Sequence, residues 1–175
     1  MKIKDKEFDI YLNISQIEER ISQMGHQISN DYTHCTPLFV GILNGAFMFA
    51  SQLFKHLSIQ AEITFIKLSS YKKLNSSGQV TQLLGLNETL FQRDVIILED
   101  IVDTGTTMVQ MLTAMDELGP KSVEIATLLF KPDALVEKLD LKYVGFEIPD
   151  RFVVGYGLDY AGLGRNLPDI YQLKS

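Results

Sequence analysis

Three carboxylates and a run of hydroxyl side chains lie close together near the middle of the chain. Glu99 and Asp100 directly follow the apolar residues 95–98, and Asp103 comes after two further apolar residues. The next residues are Thr104, Gly105, Thr106 and Thr107. They open a predicted helix, and the free amides and dipole of a helix N-terminus bind phosphate. The carboxylates would repel that phosphate, so they suit ribose hydroxyls, a divalent metal or a developing positive charge. The segment therefore predicts a site for a phosphorylated sugar.

The elements that position this segment are apolar runs of strand length that alternate with stretches of helical apolar spacing. The predicted strands are residues 38–43, 95–98 and 123–130, and the predicted helices are residues 14–28, 46–57 and 107–118. This alternation predicts an α/β fold with a parallel sheet between helices. In such sheets ligands bind beyond the carboxyl ends of the strands. That rule adds Asn44, Gly45 and Lys131 to the candidate site.

Two further segments carry local predictions. Ser15 and Glu18 have the spacing of a capping box, which predicts Ser15 as the N-cap of the first helix. Residues 69–78 are polar and rich in serine, and we predict a mobile loop there. A solvated hairpin tip is the alternative, and the composition alone slightly favours it.

Composition limits the classes of function. The chain has 175 residues, 46% of them hydrophobic and 22% charged, which predicts one domain over residues 1–175. The formal net charge of −6 argues against nucleic acid as a partner. We find no membrane-spanning run and no signal peptide, so we expect a cytoplasmic protein without a membrane partner. Cys35 is the only cysteine, which excludes an intramolecular disulfide.

Five segments resemble one enzyme family. Residues 97–108, ILEDIVDTGTTM, resemble the signature by which type I phosphoribosyltransferases bind phosphoribosyl pyrophosphate (PRPP). The other four resemble the hypoxanthine-guanine branch of that family: the pyrophosphate loop at residues 39–53, the active-site loop at 68–80, and the base-binding region at 128–135 and 144–171. The resemblance extends from about residue 14 to residue 173.

The resemblance implies a fold, a reaction and a set of partners. The fold is that of the type I phosphoribosyltransferases, a mainly parallel sheet flanked by helices, with a small base-binding hood and a flexible active-site loop containing Ser70 and Tyr71. The reaction is purine salvage, in which the phosphoribosyl group of PRPP moves to N9 of hypoxanthine or guanine and pyrophosphate leaves. Two Mg²⁺ ions, held largely by PRPP, pyrophosphate and water, and a homodimer or homotetramer are also implied.

For the sugar and phosphate half of the site, the resemblance implies roles residue by residue. Glu99 and Asp100 hold the ribose hydroxyls and, with Asp159, lie near magnesium. Asp103 lies near N7 of the purine. The cradle of the 5-phosphate is formed by Thr104, Gly105, Thr106 and Thr107. Pyrophosphate is bound by Arg165 and by the amides of Asn44 and Gly45, beside a cis peptide between Leu43 and Asn44.

For the base, the resemblance implies that Lys131 donates to the 6-oxo group, that Phe152 stacks on the ring and that Val153 contributes its backbone. Each residue also has a plainer interpretation when taken alone. Lys131 fits an exposed loop lysine, Phe152 a core residue, Asp159 a turn residue and Tyr71 a cover for apolar surface.

The sequence departs from the family pattern at two places, and two alternatives to the implied function remain open. Residues 84–90 differ from the aspartate-rich segment expected in bacterial relatives, and Asn44 stands where relatives often carry a basic residue. A xanthine-preferring transferase is one alternative. A PRPP-sensing regulator that binds nucleic acid is the other, and the pI near 5.0 weighs against it.

Overall fold

A computed structural model describes the backbone of residues 1–72 and 79–174, and the side chains of residues 68–84 lie outside its described part. Along the described chain the elements are β1 (Lys2–Ile3), β2 (Lys6–Leu12), α1 (Ile14–Asp31), β3 (Leu38–Ile42), α2 (Phe47–Phe54), β4 (Glu62–Lys72), β5 (Gln79–Leu84), β6 (Asp94–Val102), α3 (Thr106–Asp116), β7 (Ser122–Phe130), β8 (Tyr143–Glu147), β9 (Val153–Val154) and β10 (Ile170–Leu173). A short 3-10 helix, Pro132–Ala134, follows β7.

The main sheet has the strand order β5-β4-β3-β6-β7-β8. Five of these strands are parallel, and β5 joins the edge of β4 as an antiparallel strand. Every residue of β3 is buried, as expected for a strand covered on both faces. The predicted α/β fold with a mainly parallel sheet is therefore confirmed.

The strand that carries the acidic pair is longer than predicted. We expected the strand to end at Leu98, but β6 continues to Val102, so Glu99 and Asp100 lie on the strand and not in a loop. The cause is the ladder with β7, which pairs Glu99 with Thr127 and Ile101 with Leu129. Two helix ends also differ from the prediction. Helix α3 begins at Thr106 instead of Thr107, and α2 ends at Phe54 instead of Leu57.

The second sheet, which we call the hood, consists of β1, β2, β9 and β10 in the antiparallel order β1-β2-β10-β9. Its two N-terminal strands were not predicted from the sequence. In β2 only Phe8 is fully buried, and that residue packs in a small cluster with Ile3 and Val154. Long-range pairing with β10 stabilises this charged segment as a strand, with Phe8 opposite Leu173.

Helix α1 has the predicted apolar face but a different N-terminus. Ile17, Ile21, Met24 and Ile28 are fully buried. The capping box is formed by Asn13 and Gln16, not by Ser15 and Glu18: the Asn13 side chain accepts from the Gln16 amide at 3.0 Å, and the Gln16 side chain accepts from the Asn13 amide at 3.0 Å. The predicted cap was therefore wrong by two residues.

The cap can be tested by a pair of variants. We expect Asn13→Ala to lower the free energy of unfolding by about 1 kcal/mol, because it removes the N-cap acceptor. Ser15→Ala should change it by less than about 0.5 kcal/mol, because that serine lies inside the helix. Urea denaturation measures both. A larger loss from Ser15→Ala than from Asn13→Ala would contradict the assignment.

The polar segment of residues 69–78 lies only partly within the described chain. Its first four residues extend β4, and Lys72 pairs with Gln79 of β5, as in the hairpin alternative. Ser70 and Tyr71 thus lie on a strand by their backbone, their side chains lie outside the described part, and residues 73–78 lie outside it altogether. Among the described residues, no helix combines the length and apolar character needed to cross a membrane.

Candidate active site

Three neighbouring strands of the main sheet end at the candidate site. The order β3-β6-β7 brings Asn44, Asp103 and Lys131 to one edge, since each closely follows the carboxyl end of its strand. The Lys131 amide donates to the Val102 carbonyl at 3.0 Å, which fixes the end of β7 against the end of β6. The prediction from strand topology is confirmed for the position of these segments.

The acidic pair lies at the end of β6. Asp100 is only 7% exposed, and its Oδ1 accepts from the Ile101 amide at 3.0 Å. Burial, repulsion by Asp100 and a hydrogen bond to Asp100 hold the pKa of Glu99 well above its ordinary value of 4.5. Burial also raises the pKa of Asp100, and hydrogen bonds from Glu99 and the Ile101 amide oppose that rise. The acidic pair as a whole therefore keeps a proton to higher pH than two separate carboxyl groups would.

This arrangement predicts a pH-dependent stability. Because the pKa of Glu99 is higher in the folded than in the unfolded protein, the unfolded chain loses that proton first as pH rises from about 4.5. The free energy of unfolding should then fall by about 1.4 kcal/mol for each unit of raised pKa. Glu99→Gln should remove this decline, so its stability advantage over the wild type should grow with pH. Denaturation from pH 4 to pH 8 measures it, and a constant difference would contradict the prediction.

The predicted phosphate cradle is the turn between β6 and α3. Gly105 has φ +80° and caps the helix, and a Cβ there would lie 2.8 Å from Leu139 Cδ1 and 2.9 Å from Leu135 Cδ1. The Thr104 carbonyl accepts from the amides of Val136, at 3.0 Å, and Glu137, at 3.3 Å. Residues 135–139 thus hold the turn in place. A cavity of about 140 Å³ in front of it is lined by Glu99, Ile101, Val102, Asp103, Thr104, Gly105, Thr107 and Met108.

The turn after β3 packs directly on the acidic pair. The peptide bond between Leu43 and Asn44 is cis, as the family resemblance implied. A Cβ on Gly45 would overlap the Asp100 carboxylate, and a Cβ on Gly157 would overlap the Gly45 carbonyl. The Gly157 carbonyl in turn accepts from Arg165 Nη1 at 2.6 Å. Two glycines therefore allow the segment between β9 and β10, the turn after β3 and the acidic pair to meet.

Asp159 lies in the same region and has two partners. Its carboxylate accepts from the Gly162 amide at 2.7 Å and forms an ion pair with Arg165. It is thus both a turn residue and a residue of the site. Among the described residues, no three acidic, histidine or cysteine side chains cluster closely enough to hold a metal ion by themselves.

Lys131 is buried and paired with two carboxylates. It is 6% exposed, and its Nζ lies 3.0 Å from Asp103 Oδ2 and 3.0 Å from Asp150 Oδ1. Burial lowers the pKa of Lys131, but the hydrogen bonds to Asp103 and Asp150 outweigh it and raise that pKa above its ordinary value. The interpretation of Lys131 as an exposed loop lysine is therefore wrong.

Phe152 stands at the surface of the hood. Its side chain is 43% exposed, so the interpretation as a core residue is also wrong. The ring meets Tyr160 edge-on, with centroids 5.7 Å apart, and lies 6.3 Å from the ring of Phe8. One cavity of about 180 Å³ joins this ring to the acids and to the lysine. Its lining is Asp100, Ile101, Asp103, Lys131, Phe152, Val153, Leu158, Asp159 and Arg165.

The structure thus brings most of the described candidate residues to two adjoining cavities. Leu43, Asn44, Gly45 and Thr106 line neither of them. Sequence reasoning missed Asp150, which binds Lys131, and the rings of Phe8 and Tyr160, which support Phe152. The segment that contains Asp150 carried a signal only through the family resemblance of residues 144–171.

Comparison with known proteins places the chain in a family. The family model described as phosphoribosyl transferase domain matches residues 7–161. The hypoxanthine-guanine phosphoribosyltransferase of Staphylococcus epidermidis is 41% identical over 168 residues, which cover 95% of this chain and 94% of the relative.

Solved structures agree with this match. The crystal structure of a hypoxanthine phosphoribosyltransferase from Staphylococcus aureus has a TM-score of 0.85 and 38% identity, covering 97% of this chain and 92% of that one. A mutant hypoxanthine phosphoribosyltransferase from Trypanosoma cruzi, complexed with the product IMP, has a TM-score of 0.86 and 29% identity, covering 99% of this chain and 93% of that one. The family match, the sequence identity and the shared fold show that the chain belongs to the hypoxanthine-guanine phosphoribosyltransferases, within the phosphoribosyl transferase family.

Proposed function

We propose that this chain transfers the 5-phosphoribosyl group of PRPP to N9 of hypoxanthine or guanine and releases pyrophosphate. The observation that carries the proposal is that Asp103 and Ile101 line both cavities, so the phosphate cradle and the aromatic base cavity meet at one carboxylate. A sugar phosphate in the first cavity and a purine in the second would therefore share a boundary at the place where a bond between them must form.

The reaction breaks the bond from C1 of the ribose to pyrophosphate and forms the bond from N9 to C1. Positive charge develops on the ribose ring, and negative charge develops on the leaving group. The carboxylates of Glu99 and Asp100 suit the ribose hydroxyls and the positive ring. The amides of Asn44 and Gly45 and the guanidinium of Arg165 suit the leaving group, because preorganised donors stabilise the charge that develops.

Asp103 is the proposed general base. As N9 attacks C1, the proton on N7 becomes acidic and moves to the Asp103 carboxylate. Phe152 holds the purine by stacking, and Val153 contributes its backbone. Ser70 and Tyr71, whose side chains lie outside the described part, would belong to the segment that excludes water, since water would hydrolyse PRPP.

Magnesium fits this site as a partner of the substrate. Bound mainly by PRPP oxygens, with Glu99, Asp100 and Asp159 nearby, it would neutralise the charge of pyrophosphate. The acidic wall supports this assignment because hard divalent cations prefer oxygen ligands.

Lys131 accounts for the choice of base. Its ammonium is a donor only, so it matches a 6-oxo oxygen and finds no equivalent acceptor on a 6-amino group. Hypoxanthine and guanine should therefore be preferred over adenine.

The test is a nucleotide-formation assay with purified protein, PRPP, Mg²⁺ and each of hypoxanthine, guanine, xanthine, adenine and uracil. Turnover of hypoxanthine and guanine without adenine is the expected result. Preference for xanthine would reassign the substrate. PRPP binding without turnover of any base would overturn the proposed reaction.

We also expect a homodimer or a homotetramer. Phe47, at the start of α2, is 41% exposed, which supports a subunit contact on that helix. Sedimentation velocity would distinguish a dimer, a tetramer and a monomer.

A further inference from the structure

One residue without an assigned role binds the lysine at the base cavity. Asp150 follows β8 by three residues, and β8 lies beside β7 in the main sheet. Asp103 follows β6, on the other side of β7. Lys131, at the end of β7, is therefore held by one carboxylate from each neighbouring strand, each 3.0 Å from its Nζ.

The two carboxylates fix the direction of the remaining N–H group of Lys131. An ammonium has three N–H groups and no acceptor. Asp103 and Asp150 take two of them, which leaves one for a ligand. With two donors fixed, the ammonium cannot rotate freely, so the direction of the third is set before a base arrives.

The two carboxylates differ in what the proposed reaction does to them. Asp103 loses its charge when it accepts the N7 proton. Asp150, on the other strand, then remains the charged partner of a lysine that is only 6% exposed. Without it, the ammonium would have no anion beside it at that moment.

The backbone around Asp150 is fixed. The Ile148 amide donates to the Phe130 carbonyl at 2.8 Å, directly before Lys131, and the Arg151 amide donates to the Pro149 carbonyl at 2.7 Å. The first bond joins the segment of Asp150 to the end of β7, and the second closes a tight turn around Asp150 itself. The backbone therefore holds Asp150 close to Lys131, although the Asp150 side chain itself is 64% exposed.

We propose that Asp150 is a positioning residue for base selection: it fixes Lys131 so that the third N–H points at the 6-oxo oxygen of the purine. This inference rests on the proposed function, because it assigns the selectivity of that same site.

The first test is kinetic. Asp150→Ala should raise KM for hypoxanthine roughly 10-fold, the value of one well-aligned hydrogen bond to a charged group, and change KM for PRPP less than about 2-fold. Asp150→Asn keeps an acceptor oxygen and should recover most of the loss. Asp133→Ala, which removes an exposed acid on the segment after Lys131, is the matched control and should behave as the wild type.

The second test separates positioning from a general structural role. Calorimetry should show that Asp150→Ala weakens IMP roughly 10-fold but changes binding of the nucleotide with hydrogen at C6 less than about 2-fold. Equal weakening of both nucleotides, or no weakening of IMP, would overturn the inference. An inactive wild type would instead count against the proposed function, and an active wild type with an unaffected Asp150→Ala would overturn only this inference.

Discussion

Asp103→Asn is expected to lower the rate of nucleotide formation by roughly 10²- to 10⁴-fold, the usual contribution of a general base. The amide keeps the shape of the carboxylate but cannot accept the N7 proton. Lys131 keeps Asp150 as a charged partner at 3.0 Å, so the base cavity should persist. Single-turnover rates are the appropriate measurement, because product release limits kcat in many enzymes.

Asp116→Asn provides the control for this variant. It makes the same chemical change at an exposed carboxyl at the end of α3, outside both cavities. Its rate should equal that of the wild type. If Asp103→Asn also reacted at the wild-type rate, another group would have to take the proton, and the assignment of the base would fail.

Gly45→Ala should cost at least about 100-fold in kcat/KM for PRPP. The added methyl group would overlap the carboxylate of Asp100, which is 7% exposed and has little room to move. Either the turn after β3 or the acidic pair must shift, and small displacements of positioned groups cost about 10²-fold. Overpacking should also lower the free energy of unfolding by about 1–3 kcal/mol.

Gly119→Ala is the control that separates an effect on stability from an effect on the active site. Gly119 has φ +66° and ends the turn after α3, where an added Cβ would lie 3.0 Å from the exposed ring of Phe91. We expect a loss of about 1–2 kcal/mol from the backbone conformation, with activity retained. Equal activity of Gly45→Ala and the wild type would show that the close approach to Asp100 is not required.

The buried parts of the main sheet could be predicted because their sequence signal is local. The strand β3 is a continuous run of buried residues, and residues 125–129 of β7 are buried in succession, which is what burial on both faces produces. The end of β6 could not be predicted in the same way. A charge such as Glu99 indicates the end of a strand by composition, whereas the pairing with Thr127 that extends the strand is a contact with another segment.

The hood illustrates the same limit more strongly. Around Phe8 the chain is charged, and the alternation of Phe8, Ile10 and Leu12 is short and does not bury one face, since Ile10 is 61% exposed. The strand therefore depends on pairing with residues about 160 positions away. At the start of the first helix, Asn13 and Ser15 are both residue types that favour the N-cap position. The sequence pattern predicted Ser15, whereas the structure has Asn13 as the N-cap. The contact of Asp150 with Lys131 was not predictable, because the two residues lie on different strand ends.

The hood joins the two ends of the chain and is secured by a small apolar cluster, whereas the main sheet lies between two large ones. Cooperative units with few buried contacts open at lower free energy, so amide hydrogens of the hood should exchange before those of β6 and β7. The ring of Phe152 rests on Phe8, 6.3 Å away, in this least protected layer. A purine stacked on that ring would therefore slow exchange at both ends of the chain together. It would also slow the sheet amides that exchange only by global unfolding, because a ligand that binds only the folded state stabilises that state against unfolding.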